Sequence, residues 1–178
     1  MISSLVGIIA SSGAGVAGGD YESIATVTVG SGGASSISFT SIPSTYQHLQ
    51  IRAFPINATA SGDVYLQFNS DTGANYRSHY LYANGTSVVS GDTTSNFLYA
   101  AFTHSTGGVG ITDVLDYGNT NKFKTIRSLI GDERNALGEI ALTSGLWRNT
   151  SAVTSINFFP PSGSFAQYSS FALYGIKG

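Results

Sequence analysis

The sequence predicts an all-β protein. It reads as an antiparallel two-sheet sandwich, jelly-roll-like, over residues 20–178, preceded by an extended N-terminal arm at residues 1–19. Three observations carry this. Short runs of β-branched and aromatic residues alternate with polar ones, Gly/Pro/Asn/Ser clusters separate the runs, and no window shows a capped 3.6-residue apolar period. Roughly nine to eleven short strands in one domain suit two packed sheets.

The elements follow in order. Residues 1–19 are rich in Gly, Ser and Ala, with an apolar core at Leu5-Val6-Gly7-Ile8-Ile9-Ala10. That core resembles a secretory signal but lacks its positively charged start. Residues 22–29 alternate, and Gly30-Ser31-Gly32-Gly33 turns the chain back into 36–39. Pro43 breaks the run before 48–54, where Leu49 and Ile51 share one face and Gln50 and Arg52 the other. Val64, Leu66 and Phe68 alternate with Tyr65 and Gln67. Residues 78–83 end at Asn84-Gly85, a strong hairpin signal. Residues 96–103, 110–117, 123–130, 139–143, 153–159 and 170–176 read as further strands, with Gly118-Asn119-Thr120-Asn121 as a hairpin turn and Pro160-Pro161-Ser162-Gly163 as a loop. Asp132 to Leu137 reads as one helical turn capped by Asp132.

Composition narrows the function. Charged residues make up 10% of the chain, and polarity comes from 26 Ser and 17 Thr instead. Net charge is −2, and the densest basic run, Lys122, Lys124 and Arg127, reads as a solvated strand face. Nucleic acid, which needs clustered cations, is not an expected partner. With no cysteine the fold is indifferent to redox compartment, and no apolar segment reaches the ~20 residues of a membrane helix.

Several motifs invite chemistry and fail on context. Gly13, Gly15 and Gly18 match a dinucleotide fingerprint, but a strand follows where the fingerprint needs a helix, so no cofactor is expected. Asp113 and Asp116 are three apart on a strand and point to opposite faces, so they make no catalytic carboxylate pair, and Glu139 stands alone. His48, His79 and His104 lack metal-ligand spacing, and Asn69 to Gly73 lacks the acids of a calcium loop and reads as an Asx turn, so no metal is expected. No G-x-S-x-G occurs. These readings favour a non-enzymatic protein.

Aromatic side chains are the stronger lead. Tyr80 and Tyr82 share one strand face with Leu81 on the other, Tyr65 opposes Leu66 and Phe68, and Trp147 follows a Ser144-Gly145-Leu146 turn. Rings on a wet face stack on sugars or fill protein interfaces, and a chain so poor in charge favours the interface.

Five phrases carry a family resemblance: 41–52 (SIPSTYQHLQIR), 67–76 (QFNSDTGANY), 115–122 (LDYGNTNK), 144–147 (SGLW) and the terminal run 168–178. Over residues 20–178 the chain resembles small structural, decoration or fibre-like virion proteins of tailed bacteriophages of the cyanophage type. The resemblance implies a component on the outer surface of a virion and carries no catalytic motif. A capsid decoration (cement) protein would form a homotrimer and staple major capsid proteins, with Ile2, Leu5, Val6, Ile8 and Ile9 of the arm as partner-contacting residues. The alternative is a tail- or head-fibre tip that holds a host glycan on its Tyr rows. Only 19 residues precede the sandwich, leaving no room for a fibre shaft, so the decoration role is the expected one.

Overall fold

The structure is a computed structural model and describes residues 20–178 apart from Ala136. The expectations for the arm, including Ile2, Leu5, Val6, Ile8, Ile9 and the three glycines, lie outside the described residues. The described residues form twelve strands: β1 (Tyr21–Thr28), β2 (Ile37–Phe39), β3 (His48–Phe54), β4 (Gly62–Phe68), β5 (Tyr76–Ala83), β6 (Val88–Ser95), β7 (Leu98–Thr103), β8 (Val109–Leu115), β9 (Lys124–Glu133), β10 (Gly138–Trp147), β11 (Ile156–Phe159) and β12 (Ser170–Ile176).

They form two antiparallel sheets. The large sheet runs β1-β12-β3-β8-β9-β10-β5-β6 and the small one β2-β11-β4-β7. Early in the chain the path alternates between sheets: β1 and β3 are in the large one, β2 and β4 in the small one. The Gly30–Gly33 turn is therefore a crossover and not the hairpin expected from sequence, because β1 pairs with β12 and β2 with β11. Eight large-sheet strands face only four in the small sheet. Two hairpins, β5–β6 and β9–β10, make up the extra width.

The core lies between the sheets. Leu49 and Ile51 of β3, Val64, Leu66 and Phe68 of β4, Ile156 and Phe158 of β11, and Phe171 and Leu173 of β12 are all but sealed from solvent. Each set sits two residues apart, the period of a strand with one face inward. The sheets approach closely where β8 passes β7. A Cβ at Gly110 would lie 2.2 Å from the Ala100 carbonyl oxygen, so only glycine allows this spacing.

Two local expectations fail. The described residues of 132–137 do not form a helical turn. Asp132 and Glu133 end β9, pair with Glu139 and Gly138 of β10, and the chain reverses in a tight loop with Asn135 at positive φ. Sheet pairing on both flanks outweighs the weak local helix signal. Lys124 is not on a solvated face either. It is fully buried, and its ammonium donates to the Asn119, Lys122 and Thr150 carbonyls, tying together the loops at that end of the sandwich. Burial holds its pKa below the ordinary lysine range, with the nearby Lys122 charge adding to the effect.

Candidate functional site

The extension β9-β10-β5-β6 reaches past the small sheet, and this overhang creates two features. One is an inward cavity, the other an outward apolar surface.

The cavity has a volume of about 460 Å³ and lies between the β4–β7 end of the small sheet and the β9, β10 and β5 strands of the large one. Strand pairing sets its walls. Tyr82 pairs with Ala141, which pairs with Ile130; one step along, Tyr80 pairs with Thr143. Glu139 pairs with Asp132 at the β9–β10 end. Across from them, Asp63 of β4 pairs with Phe102 of β7, and Gly62 with Thr103. A register shift in the β4–β7 pairing skips Ala100 and allows both Tyr99 and Phe102 to meet β5. The Tyr80 and Tyr99 rings stand edge to face at 6.3 Å, as do Tyr82 and Phe102 at 6.2 Å.

Charge in the cavity is unbalanced. Three carboxylates, Asp63, Asp132 and Glu139, face one guanidinium, Arg134. Arg134 is committed to two of them: its Nη2 donates to Glu139 at 2.8 Å, and its Nε lies 2.9 Å from Asp132 in an ionic contact that is not an aligned hydrogen bond. Among the described residues Asp63 has no basic partner. Burial, with the Glu139 charge behind it, pushes its pKa up to about 6. Burial and the Asp63 charge push the Tyr99 phenol up to about 12. Asp132 is raised by burial even with Arg134 beside it. The hydroxyls of Thr103 and Thr143 and Oδ1 of Asp132 are buried with no hydrogen-bond partner among protein groups. Such groups cost about 1–3 kcal/mol each when unmet, so the wall has unused polar capacity.

The outward surface is apolar and in register. Ile111 of β8 pairs with Leu129 of β9, which pairs with Leu142 of β10, which pairs with Leu81 of β5. Their exposures are 44%, 52%, 49% and 50%. A parallel row one step away carries Val109, Ile140 and Val88, all exposed. A polar row flanks them, with Arg127 bonded to Asp113 and Arg77 paired with Asp92. Contiguous apolar area inside a polar rim marks an interaction surface.

The sequence-singled aromatics divide among these places. Tyr80 and Tyr82 do share a face, but it is the inward one, and Leu81 is the exposed residue. The overhang inverts the usual assignment because no core lies outside β5. Tyr65 is half-buried, stacked on Phe97 at 3.6 Å and edge to face with Tyr99 at 5.9 Å, next to the cavity but not in it. Trp147 is not an exposed ring. It sits inside β10, 1% exposed, against Tyr76 and Phe68, and its Nε1 donates to Asp71 Oδ2 at 2.7 Å. The Ser144-Gly145-Leu146 segment is strand and not turn, because β10 pairs with β5 and β9 along its whole length. Asp71 also accepts from Gly73 N–H at 2.9 Å, the Asx turn expected there.

The carboxylates behave differently from one another. Asp113 is on β8 with Gln50 and Arg127. Asp116 is in the following turn, at positive φ, bonded to Lys122 and contacting His48. Glu139 is not alone as expected, since hairpin pairing sets it beside Asp132 and Arg134. Asp63, which sequence reading passed over, belongs to the site. Its signal was available: alternation in β4 turns Val64, Leu66 and Phe68 inward and so sends Asp63 and Tyr65 to the other face. What lies opposite that face depends on the overhang, which no local pattern encodes. Among the described residues no three His, Asp or Glu side chains gather as a metal-ligand group, and no helix is long and apolar enough to cross a membrane.

No protein-family model matches the chain, and no curated protein matches it. Among solved structures, a protein of unknown function from Shewanella oneidensis MR-1 aligns at 11% identity over 89% of this chain and 76% of its own, with a TM-score of 0.23. A similarity that low carries no inference about fold or function.

Proposed function

We propose that this chain is a non-enzymatic structural protein of a tailed-phage virion, a capsid decoration protein that forms a homotrimer on the outer surface and staples major capsid subunits. The observation that carries the reading is the in-register apolar surface of Ile111, Leu129, Leu142 and Leu81, flanked by a row that bears both signs of charge. We read its occupant as the neighbouring copy around the three-fold, which meets this patch with a different part of its own surface. The adjacent edge strand β6 supports this, since it carries Val88 and Val89 and a single charge, Asp92, and none of the lysines or prolines that blunt free edges. We read the chain path as jelly-roll-like: β1-β12-β3-β8 faces β2-β11-β4-β7, and the hairpins β5–β6 and β9–β10 are insertions that build the surface.

Sedimentation of the wild-type chain and of a Leu129→Lys/Leu142→Lys variant tests the reading. The wild type is expected as a trimer at micromolar concentration and the variant as a folded monomer. A monomeric wild type, or a variant that still forms trimers, overturns it. The fibre-tip alternative, with a host-surface glycan as partner, is favoured by one observation, the ring-lined cavity holding Tyr80 and Tyr82.

A further inference from the structure

We propose that the cavity between β7 and the β5–β10–β9 overhang binds a single neutral sugar residue, with Tyr82 and Tyr99 against its ring and Asp63 accepting its hydroxyls. This deepens the glycan reading of the cavity given above as the alternative and does not depend on the decoration role.

Size comes first. A volume of about 460 Å³ falls within the ~300–1,000 Å³ span of small-ligand pockets. Wall chemistry comes next. Aromatic rings from β5 and β7 meet edge to face in the wall, and carboxylates and hydroxyls line the cavity beside them. A pyranose has the matching pattern, with apolar C–H faces ringed by hydroxyls. The wall also holds polar groups that the protein leaves unsatisfied: the Thr103 hydroxyl at 2% exposure, the Thr143 hydroxyl at 3%, and Oδ1 of Asp132, whose side chain is 4% exposed. These atoms have almost no accessible surface, so a hydroxyl-rich ligand meets them only where the Thr103, Thr143 or Asp132 side chain turns toward the cavity.

Charge selects the class. Three carboxylates outnumber one guanidinium, and that guanidinium is already engaged by two of them. An anionic ligand such as a uronate, a sialic acid or a nucleotide meets a negative site with no free cation among the described residues to receive it. Asp63, half-protonated near pH 6, can donate as well as accept in mildly acidic solution.

Titration of the full chain with methyl glucoside, methyl galactoside, methyl mannoside and N-acetylglucosamine, followed by calorimetry and by NMR of the tyrosine rings, tests the site, with methyl glucuronide as the anionic control. At least one neutral sugar is expected to bind in the millimolar range typical of a single small site, and the glucuronide about tenfold more weakly than methyl glucoside. Asp63→Asn and Tyr82→Ala should each weaken binding by about tenfold or more while the far-ultraviolet spectrum stays that of the wild type. If both variants unfold, competition between the neutral sugars for the wild-type tyrosine signals decides in their place. Binding of an oligosaccharide ending in the selected sugar as tightly as the methyl glycoside assigns the site to glycan chain ends; much weaker binding assigns it to free sugar. The proposal is overturned if no neutral sugar binds, if the glucuronide binds equally well, or if folded variants keep full affinity. The trimer measurement is untouched by any of these results.

Discussion

Replacing Asp63 with Asn separates the cost of the cavity from its use. Asp63 is largely buried, has no basic partner among the described residues and titrates at about 6, against an ordinary value of 3.8. A carboxyl whose folded pKa exceeds its unfolded one binds its proton more tightly in the fold. The stability it contributes is therefore complete below about pH 4 and is lost as pH rises through 6. A rise from 3.8 to about 6, at about 1.4 kcal/mol per pH unit, sets a ceiling of about 3 kcal/mol. Partial contact with solvent in the cavity reduces that to about 1–2 kcal/mol. The amide keeps the shape and cannot ionise, so Asp63→Asn should be more stable than wild type at pH 7 by that amount and nearly equal to it at pH 4. Urea unfolding at half-unit pH steps between these limits measures the difference, which cancels contributions from other acids. In heat, the gain at pH 7 should appear as about 3–6 °C in Tm. A variant less stable than wild type at pH 7, or a difference independent of pH, would refute the assignment of Asp63 as a buried, unpaired acid.

Three further outcomes follow from the core. Lys124→Met keeps the apolar stem but leaves the Asn119, Lys122 and Thr150 carbonyls without their donor, and should cost about 2–4 kcal/mol in urea unfolding. Trp147→Phe removes both packing against Tyr76 and the bond to Asp71, for a loss of about 2–4 kcal/mol. Burial alone would raise the Asp71 carboxyl, but Trp147, Gly73 and Asn75 together hold it below the ordinary range. The stability this adds is present above about pH 4 and lost as pH falls further, so the Trp147→Phe deficit should shrink in acid. Gly110→Ala places a methyl on the Ala100 carbonyl and should destabilise by about 2 kcal/mol or more, seen as a lowered Tm, with the β7–β8 amides losing hydrogen-exchange protection first.

Most of the fold was legible because strand alternation is local. Leu49 and Ile51, or Val64, Leu66 and Phe68, declare their face by spacing alone, and Asn84-Gly85 declares its turn. Strand β6 was not legible. Its sequence, VVSGDTTS, is small and polar, and it is a strand because β5 templates it across the hairpin. The site was legible only in part. Tyr80 and Tyr82 were found as a pair, but which face was inward depends on the four strands that extend beyond the small sheet. The same long-range fact hides Trp147, exposes Leu81 and joins Asp63 to Glu139. Lys124 shows the limit most clearly, since nothing near it in sequence announces that three carbonyls will surround a buried ammonium.

We propose that the overhanging sheet serves assembly on a capsid. Cryo-electron microscopy of purified phage particles, with the copy number counted by mass spectrometry, tests it most directly. The account predicts trimers at regular positions on the icosahedral shell, with Leu129 and Leu142 buried between copies. Density for this chain confined to the tail or to projecting fibres would contradict it.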